Sequence, residues 1–307
     1  MDVNSLLEKY SFYLKKAKWK ISASYWVLIS IVFAFLAFAV SYFSFTLFGL
    51  DLGLVLPFVI GLSVADLMIG YPYLIAQRRF AEIEEAFPDA LKQMADILKA
   101  GGSYDYSLRE ISKSEYGPLK EEVLGVLRRL EEGQNIRHAM LYLPENVDSV
   151  VIKRSVSIIT DAIEVGAPLS EILEDIANDS RENIRIRSER KALTLMQVLF
   201  IVSASAVIAP FVLGIVLSVG GFMVDTGIAF GTLSDDVIQT ALGFKALLNN
   251  LFQAYLAIMI IFSSLMVSVM REGNVTKALT YMPFFLLIGF SIFFVSYVIV
   301  GASVLGM

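Results

Sequence analysis

Residues 95–112, ADILKAGGSYDYSLREIS, lie over residues 160–177, TDAIEVGAPLSEILEDIA, at an offset of 65. The overlay pairs Asp96 with Asp161, Gly101 with Gly166, Tyr104 with Leu169, Leu108 with Leu173 and Ile111 with Ile176. A shorter copy stands midway: Gly133 is followed by Ile136 and Met140, apolar residues three and seven positions after a glycine, as in the flanking copies. A helix, a glycine that turns the chain and a second helix therefore recur every 32 or 33 residues. The repeat predicts six helices in three hairpins, with Gly101, Gly133 and Gly166 as structural turns.

Each predicted helix carries an apolar stripe at helical spacing. The stripes are Phe80, Ile83, Phe87, Leu91, Met94 and Leu98; Tyr104, Leu108 and Ile111; Leu119, Val123, Val126, Leu127 and Leu130; Ile136, Met140 and Leu143; Val147, Val151, Ile158 and Ile163; and Leu169, Leu173, Ile176 and Ile184. Ser103, Asn135 and Asn146 can cap the second, fourth and fifth helices, and Pro118 and Pro168 suit the first turns of the third and sixth. Pro88 falls inside the first helix and should start its main portion or kink it.

Outward from the repeat, the chain changes character. Of 25 basic and 30 acidic side chains, 39 lie between Arg78 and Lys191, an island between uncharged apolar blocks. With 56% hydrophobic residues and a mean hydropathy of +0.67, the 307-residue chain is too apolar for an ordinary soluble protein, and its middle third is too charged for a simple pore. The reading is an all-α, polytopic membrane protein: a lead-in over 1–20, a transmembrane hairpin over 21–74, a six-helix, three-hairpin cytoplasmic domain over 75–191 and three further spans over 192–307. The absence of cysteine excludes disulfides and thiolate metal sites. The net charge of -5 gives no reason to expect nucleic acid.

The first span is the uncharged run Ile21–Leu50, and a turn through Gly49, Asp51 and Gly53 leads to a second, Leu54–Leu74. Asp66 is the one carboxylate inside a predicted span. It is read as lying near the cytoplasmic end, paired or wetted at the interface, rather than as a proton or ion site. After the island come uncharged residues 192–224, where Ala206, Pro210, Gly214 and Ser218 form a small-residue stripe on which another helix can pack closely. A loop over Asp225–Lys245, a span over Ala246–Met270, the turn REGNVTK and a last span from Ala278 complete the chain. Basic residues set the orientation: five lysines precede the first span, 17 Lys and Arg lie in the island and Arg271 and Lys277 in the last turn, whereas only Lys245 occupies the opposite loops. The lead-in and island are therefore expected in the cytoplasm and the C-terminus outside.

No phosphate-cradling G-x-x-x-x-G-K-[ST], dinucleotide G-x-G-x-x-G, H-E-x-x-H or G-x-S-x-G motif occurs. One histidine, His138, cannot build a zinc site and reads as a partly exposed helical residue. Glu82, Glu84, Glu85, Glu121 and Glu122 read as helix surface. No catalytic, cofactor or metal site is expected. The densest polar feature is Arg181, Glu182, Arg185, Arg187, Arg190 and Lys191. Snorkelling at the headgroups and the inside-positive signal account for its membrane-proximal part. Arg181 and Arg185 lie deeper in the cytoplasm, one turn apart, with Glu182 beside them inviting a specific pairing. These three, with Arg271 and Lys277, are the candidate partner-binding residues.

EEAFPDALKQMADILKAGGSYDYSLREIS, residues 84–112, resembles the opening of the F domain in type II secretion and type IV pilus platform proteins. AIEVGAPLSEILEDIANDSRENIRIRSERK, residues 162–191, resembles its end, and REGNVTKAL, residues 271–279, the cytoplasmic turn between the last spans. The likeness covers roughly residues 75–300 and is nearest to the short, single-F-domain platforms of Tad-type and archaeal pilus systems. The chain departs from the pattern in having Phe87 where leucine is usual and in lacking a second F domain. The resemblance implies a non-enzymatic membrane platform without cofactors. Its partners would be a hexameric secretion ATPase, pilin-like subunits, the lipid bilayer, and a second copy or a paralogous platform protein in a homodimer or heterodimer. The alternative is a transporter or channel with a cytoplasmic helical regulatory domain. It requires several ionisable or broken-helix features at the bilayer midplane, where Asp66 and Pro210 are the ones on offer.

Overall fold

The structure, a computed structural model, describes residues 3–17, 19, 22–47, 55–230, 235–273 and 275–305. The turn expected through Gly49, Asp51 and Gly53 lies outside them. Among the described residues the chain is all-α with no strand. The helices are α1 (Val3–Lys16), α2 (Ala23–Leu47), α3 (Val55–Lys99), α4 (Tyr104–Lys113), α5 (Pro118–Glu131), α6 (Ile136–Met140), α7 (Tyr142–Asn146), α8 (Val150–Val165), α9 (Leu169–Val202), α10 (Ala209–Ala229), α11 (Asp235–Glu272) and α12 (Ala278–Leu305). Two compact units divide them: a membrane unit of residues 1–12, 20–72 and 191–307, and a helical unit of residues 13–19 and 73–190.

In the helical unit the same hydrogen-bond pattern closes three helices at the repeat spacing. Gly101 donates to Leu98 and Gly102 to Ile97; Gly133 to Leu130 and Gln134 to Arg129; Gly166 to Ile163 and Ala167 to Ala162. This is the Schellman arrangement, which needs a left-handed residue at the turn. Gly101, Gly133 and Gly166 supply it with φ of 88°, 87° and 70°. A Cβ on Gly101 would meet no atom within 4 Å, so substitution there tests the backbone alone. Gly101→Val should cost about 1–2 kcal/mol, read as a lower Tm of the full chain in detergent.

The helix starts follow local chemistry, with one correction. Ser103 accepts from the Tyr106 amide and Asn135 from that of His138, and Pro118 opens α5. The cap of α8 is Ser149, which accepts from the Ile152 amide, and not Asn146, which ends α7. Starting α8 three residues later than expected shifts its buried face by one position. Ile152, Val156 and Ile159 are buried where Val151 and Ile158 were expected, and Ile158 is exposed. Tyr104, expected in the stripe of α4, is likewise exposed. The fourth helix of the repeat is two five-residue pieces, α6 and α7, so the three-hairpin pattern holds with that break. α3 runs through Pro88 instead of starting there.

The core of the helical unit is Phe80, Ile83, Phe87, Leu91 and Met94 of α3 against Leu108, Leu119, Val126, Leu143, Ile159 and Leu173. Gly125 admits the ring of Tyr142, which a Cβ there would overlap.

Among the described residues five helical stretches are long and apolar enough to cross a membrane, within 23–47, 55–99, 169–229, 236–271 and 278–301. Leu217, Leu256, Ile260, Leu286, Phe290 and Phe293 form the core of the membrane unit. The stripe Ala206, Pro210, Gly214 and Ser218 is buried, and α12 packs on it through Phe293 and Ser296. Pro210 lacks an N–H and its ring crowds the Ala206 carbonyl. The chain absorbs this as a π-helical turn over Ser203–Ile208. The loop expected over Asp225–Lys245 is largely helix: α10 continues to Ala229 and α11 begins at Asp235, with Lys245 paired to Asp225 at 3.0 Å. Charges ended the apolar run without ending the helices, because side chains beyond the hydrocarbon can be charged and still helical.

Candidate functional site

The helical unit holds two polar constellations, one on its surface and one inside. On the surface, residues of α3 face those of α9. Arg181 donates to Asp89 at 2.7 Å, and Arg187 to Glu84 at 2.9 Å. Glu84 also accepts from Ser149, so the residue that caps α8 is tied to α3 as well. One and three turns further along α3, Lys92 and Lys99 converge on Glu174. An open groove of about 640 Å³ follows this line, walled by Asp89, Lys92, Gln93, Asp96, Tyr106, Glu110 and Arg181.

The inner constellation centres on Glu122, which the sequence places on the helix surface and the structure buries. Glu122 is 3% exposed and accepts from Arg79 at 3.1 Å, with the Lys16 ammonium 3.5 Å away. Arg79 also reaches Glu121 at 2.8 Å, and Lys16 donates to Asn146 at 2.9 Å. Tyr13 donates to Asp148 at 2.7 Å and meets the Tyr73 ring edge-on. Burial lowers the Lys16 pKa from its ordinary value, with the Glu122 carboxylate opposing that shift. The Arg79 Nε is buried without a hydrogen-bond partner. A signal for this cluster was present: Glu122 stands three residues after Leu119 and four before Val126, on the apolar stripe of α5.

Comparison with protein families finds that the family described as Type II secretion system (T2SS), protein F matches residues 90–218. The matched stretch is consistent with a type II secretion F-domain protein. The match runs from within α3 through α9 into α10, and at family level it supports a membrane platform protein of secretion and pilus systems, associated with secretion machinery. Family members are non-enzymatic platforms. Comparison with curated proteins and with solved structures returned no match.

Within the F domain the candidate partner residues are engaged separately. Arg181 pairs with Asp89, whereas Arg185 pairs with Glu189 one turn along its own helix at 2.9 Å; Glu182 is exposed and is the partner of neither. Arg271 ends α11 and Lys277 closes the short 3-10 turn Val275–Lys277, both in the membrane unit. Sequence reasoning missed Asp89, Glu84, Lys92 and Glu174, because cross-helix partners 75 to 103 residues apart leave no local pattern. Among the described residues no three His, Asp or Glu side chains are placed to hold a metal ion.

Glu174 yields a pH dependence with a definite sign. Hydrogen bonds from Lys92 and Lys99 hold its carboxyl down at about 2, from an ordinary 4.5. A depressed carboxylate stabilises the fold fully above its unfolded pKa, and the contribution fades as pH falls from about 4.5 towards 2. Glu174→Gln should therefore flatten the acid limb of stability against pH in that window, measured by thermal melts of the full chain. An unchanged acid limb would show that the pairing is not maintained in solution.

Proposed function

We propose that this chain is the cytoplasmic-membrane platform of a type IV pilus-like or type II secretion-like filament machine, coupling a hexameric secretion ATPase to the movement of pilin-like subunits in the bilayer. The observation that carries the reading is a family-matched F domain, rich in exposed cross-helix charge, within a chain that has five apolar spans. Its sequence contains no phosphate-cradling motif, so the energy source belongs to a partner. The F domain and the lead-in face the cytoplasm, following the basic residues. A second copy or a paralogue completes the platform, and no nucleic acid takes part. Reversible docking on charged surface suits a cycling motor, because such contacts set orientation and association rate more than affinity.

Reversing Arg181 and Arg185 to glutamate should weaken binding of the ATPase about three- to tenfold at low ionic strength, less at high salt, with insertion unchanged. Arg181 already holds Asp89, so the loss has two readings that one further variant separates. Adding Asp89→Arg to Arg181→Glu rebuilds the internal pair while leaving the surface charge at 181 reversed. Binding that stays weak identifies position 181 as a contact. Binding that recovers assigns the arginine to the architecture of the domain, and normal binding in the original double variant refutes the proposed docking surface.

A further inference from the structure

On α11, Lys245, Asn249 and Gln253 stand at successive turns of one face. With Leu56, Leu217 and Phe290 they line a cleft of about 330 Å³ inside the membrane unit. Gln253 lies midway along the span 236–271 and is 6% exposed. Its Nε2 donates to Asn249 Oδ1 at 2.9 Å, and its Oε1 is buried without a partner. Exchanging N and O in both amides leaves one Gln253 polar atom unused all the same. An orphaned amide at that depth is costly in hydrocarbon, which makes it a position that a ligand's polar atom would satisfy. At the mouth, Lys245 pairs with Asp225 at 3.0 Å, and an ammonium has three donors, enough for a second anionic oxygen. An apolar cleft of about 200 Å³ shares Leu56 and Phe290 with the first and continues past Val59 and Phe294.

We propose that this cleft binds a membrane phospholipid, its phosphate at Lys245, the oxygens that link its chains at Asn249 and Gln253, and one chain along Phe290, Phe294 and Val59. One turn of an α-helix 10 Å across fills more than about 400 Å³, so the cleft admits an extended chain rather than a helix of a protein partner. From Lys245 to Gln253 the polar ladder climbs about 12 Å.

The test reconstitutes the full chain in vesicles of neutral glycolipid with a trace of phosphatidylglycerol carrying a photoreactive diazirine midway along one acyl chain. Crosslinks should concentrate at Val59, Phe290 and Phe294 over Phe35 and Leu36, which are exposed on α2. Lys245→Ala and Gln253→Leu should each lower labelling in the cleft about tenfold, and Lys245→Arg should retain it. A diacylglycerol carrying the same diazirine, which lacks the phosphate, should label weakly. Equal labelling of α2 and the cleft, or wild-type labelling in Lys245→Ala, would overturn the proposal by showing bulk lipid only. If Gln253→Leu fails to insert, Lys245→Ala at the mouth of the cleft decides.

Discussion

Replacing Glu122 with alanine should destabilise the F domain by about 3–5 kcal/mol, a fall in Tm of roughly 10–20 °C. The carboxylate is buried between Arg79 and Lys16, whose side chains are themselves only 14% and 15% exposed. Removing it takes the buried carboxylate away from two cations that have already lost most of their water, leaving Arg79 its pair with the more exposed Glu121 and Lys16 its bond to Asn146, while the Arg79 Nε is buried with nothing to donate to. Removing the charges together is a different experiment. Glu122→Met combined with Arg79→Met and Lys16→Met should recover much of the loss, since apolar side chains of similar size avoid desolvating any charge. Thermal denaturation of the full chain in detergent, followed by circular dichroism, reads both. A Glu122→Ala protein melting within about 2 °C of wild type would mean that the cluster is solvated and the carboxylate dispensable.

Gly214→Val should cost about 3 kcal/mol or more and act on the membrane unit instead. A Cβ at 214 would fall inside the van der Waals shell of Ser296 Oγ and lie 2.6 Å from the Phe293 carbonyl oxygen. The hydroxyl can be removed by a second substitution; the carbonyl belongs to the α12 backbone and cannot turn aside. Ser296→Gly should therefore rescue only part of the defect. Gly220→Val, on the same helix with nothing within 4 Å of its Cβ, is the matched control and should melt close to wild type. Equal stability of the 214 and 220 variants would show that α10 and α12 are not in close contact.

The architecture could be read because its signals are local or periodic. A helix that stops at a glycine, a serine or asparagine that starts the next, and apolar residues every three or four positions are all written within one turn of where they act. The cap of α8 was misplaced for a related reason: Asn146 and Ser149 are both good cap residues, and the choice fell to where Val147 is buried and Val150 is not. Uncharged length marked the spans, yet it could not mark helix ends, as Asp225 and Lys245 show by sitting in helices. The polar sites were less legible. Asp89 and Arg181 are 92 residues apart, and their pairing depends on the packing of α3 against α9 rather than on either neighbourhood. Glu122 was the exception, since its place on the apolar stripe announced burial while its chemistry argued for the surface.

The ties of Tyr13 to Asp148 and of Lys16 to Asn146 span 135 and 130 residues of chain. During synthesis the segment that supplies Tyr13 and Lys16 leaves the ribosome before any of its partners exist. At about 5–20 residues per second, roughly 7 to 27 seconds pass before Asn146 and Asp148 follow, an interval in which two apolar spans must also be handed to the membrane. Until then Tyr13 waits for Asp148 and Lys16 for Asn146, and the domain lacks a piece of its interior. Maturation of this domain is accordingly paced by translation and insertion of the hairpin that interrupts it, and a ribosome stalled before residue 146 would hold a chain whose helical domain is still unfinished.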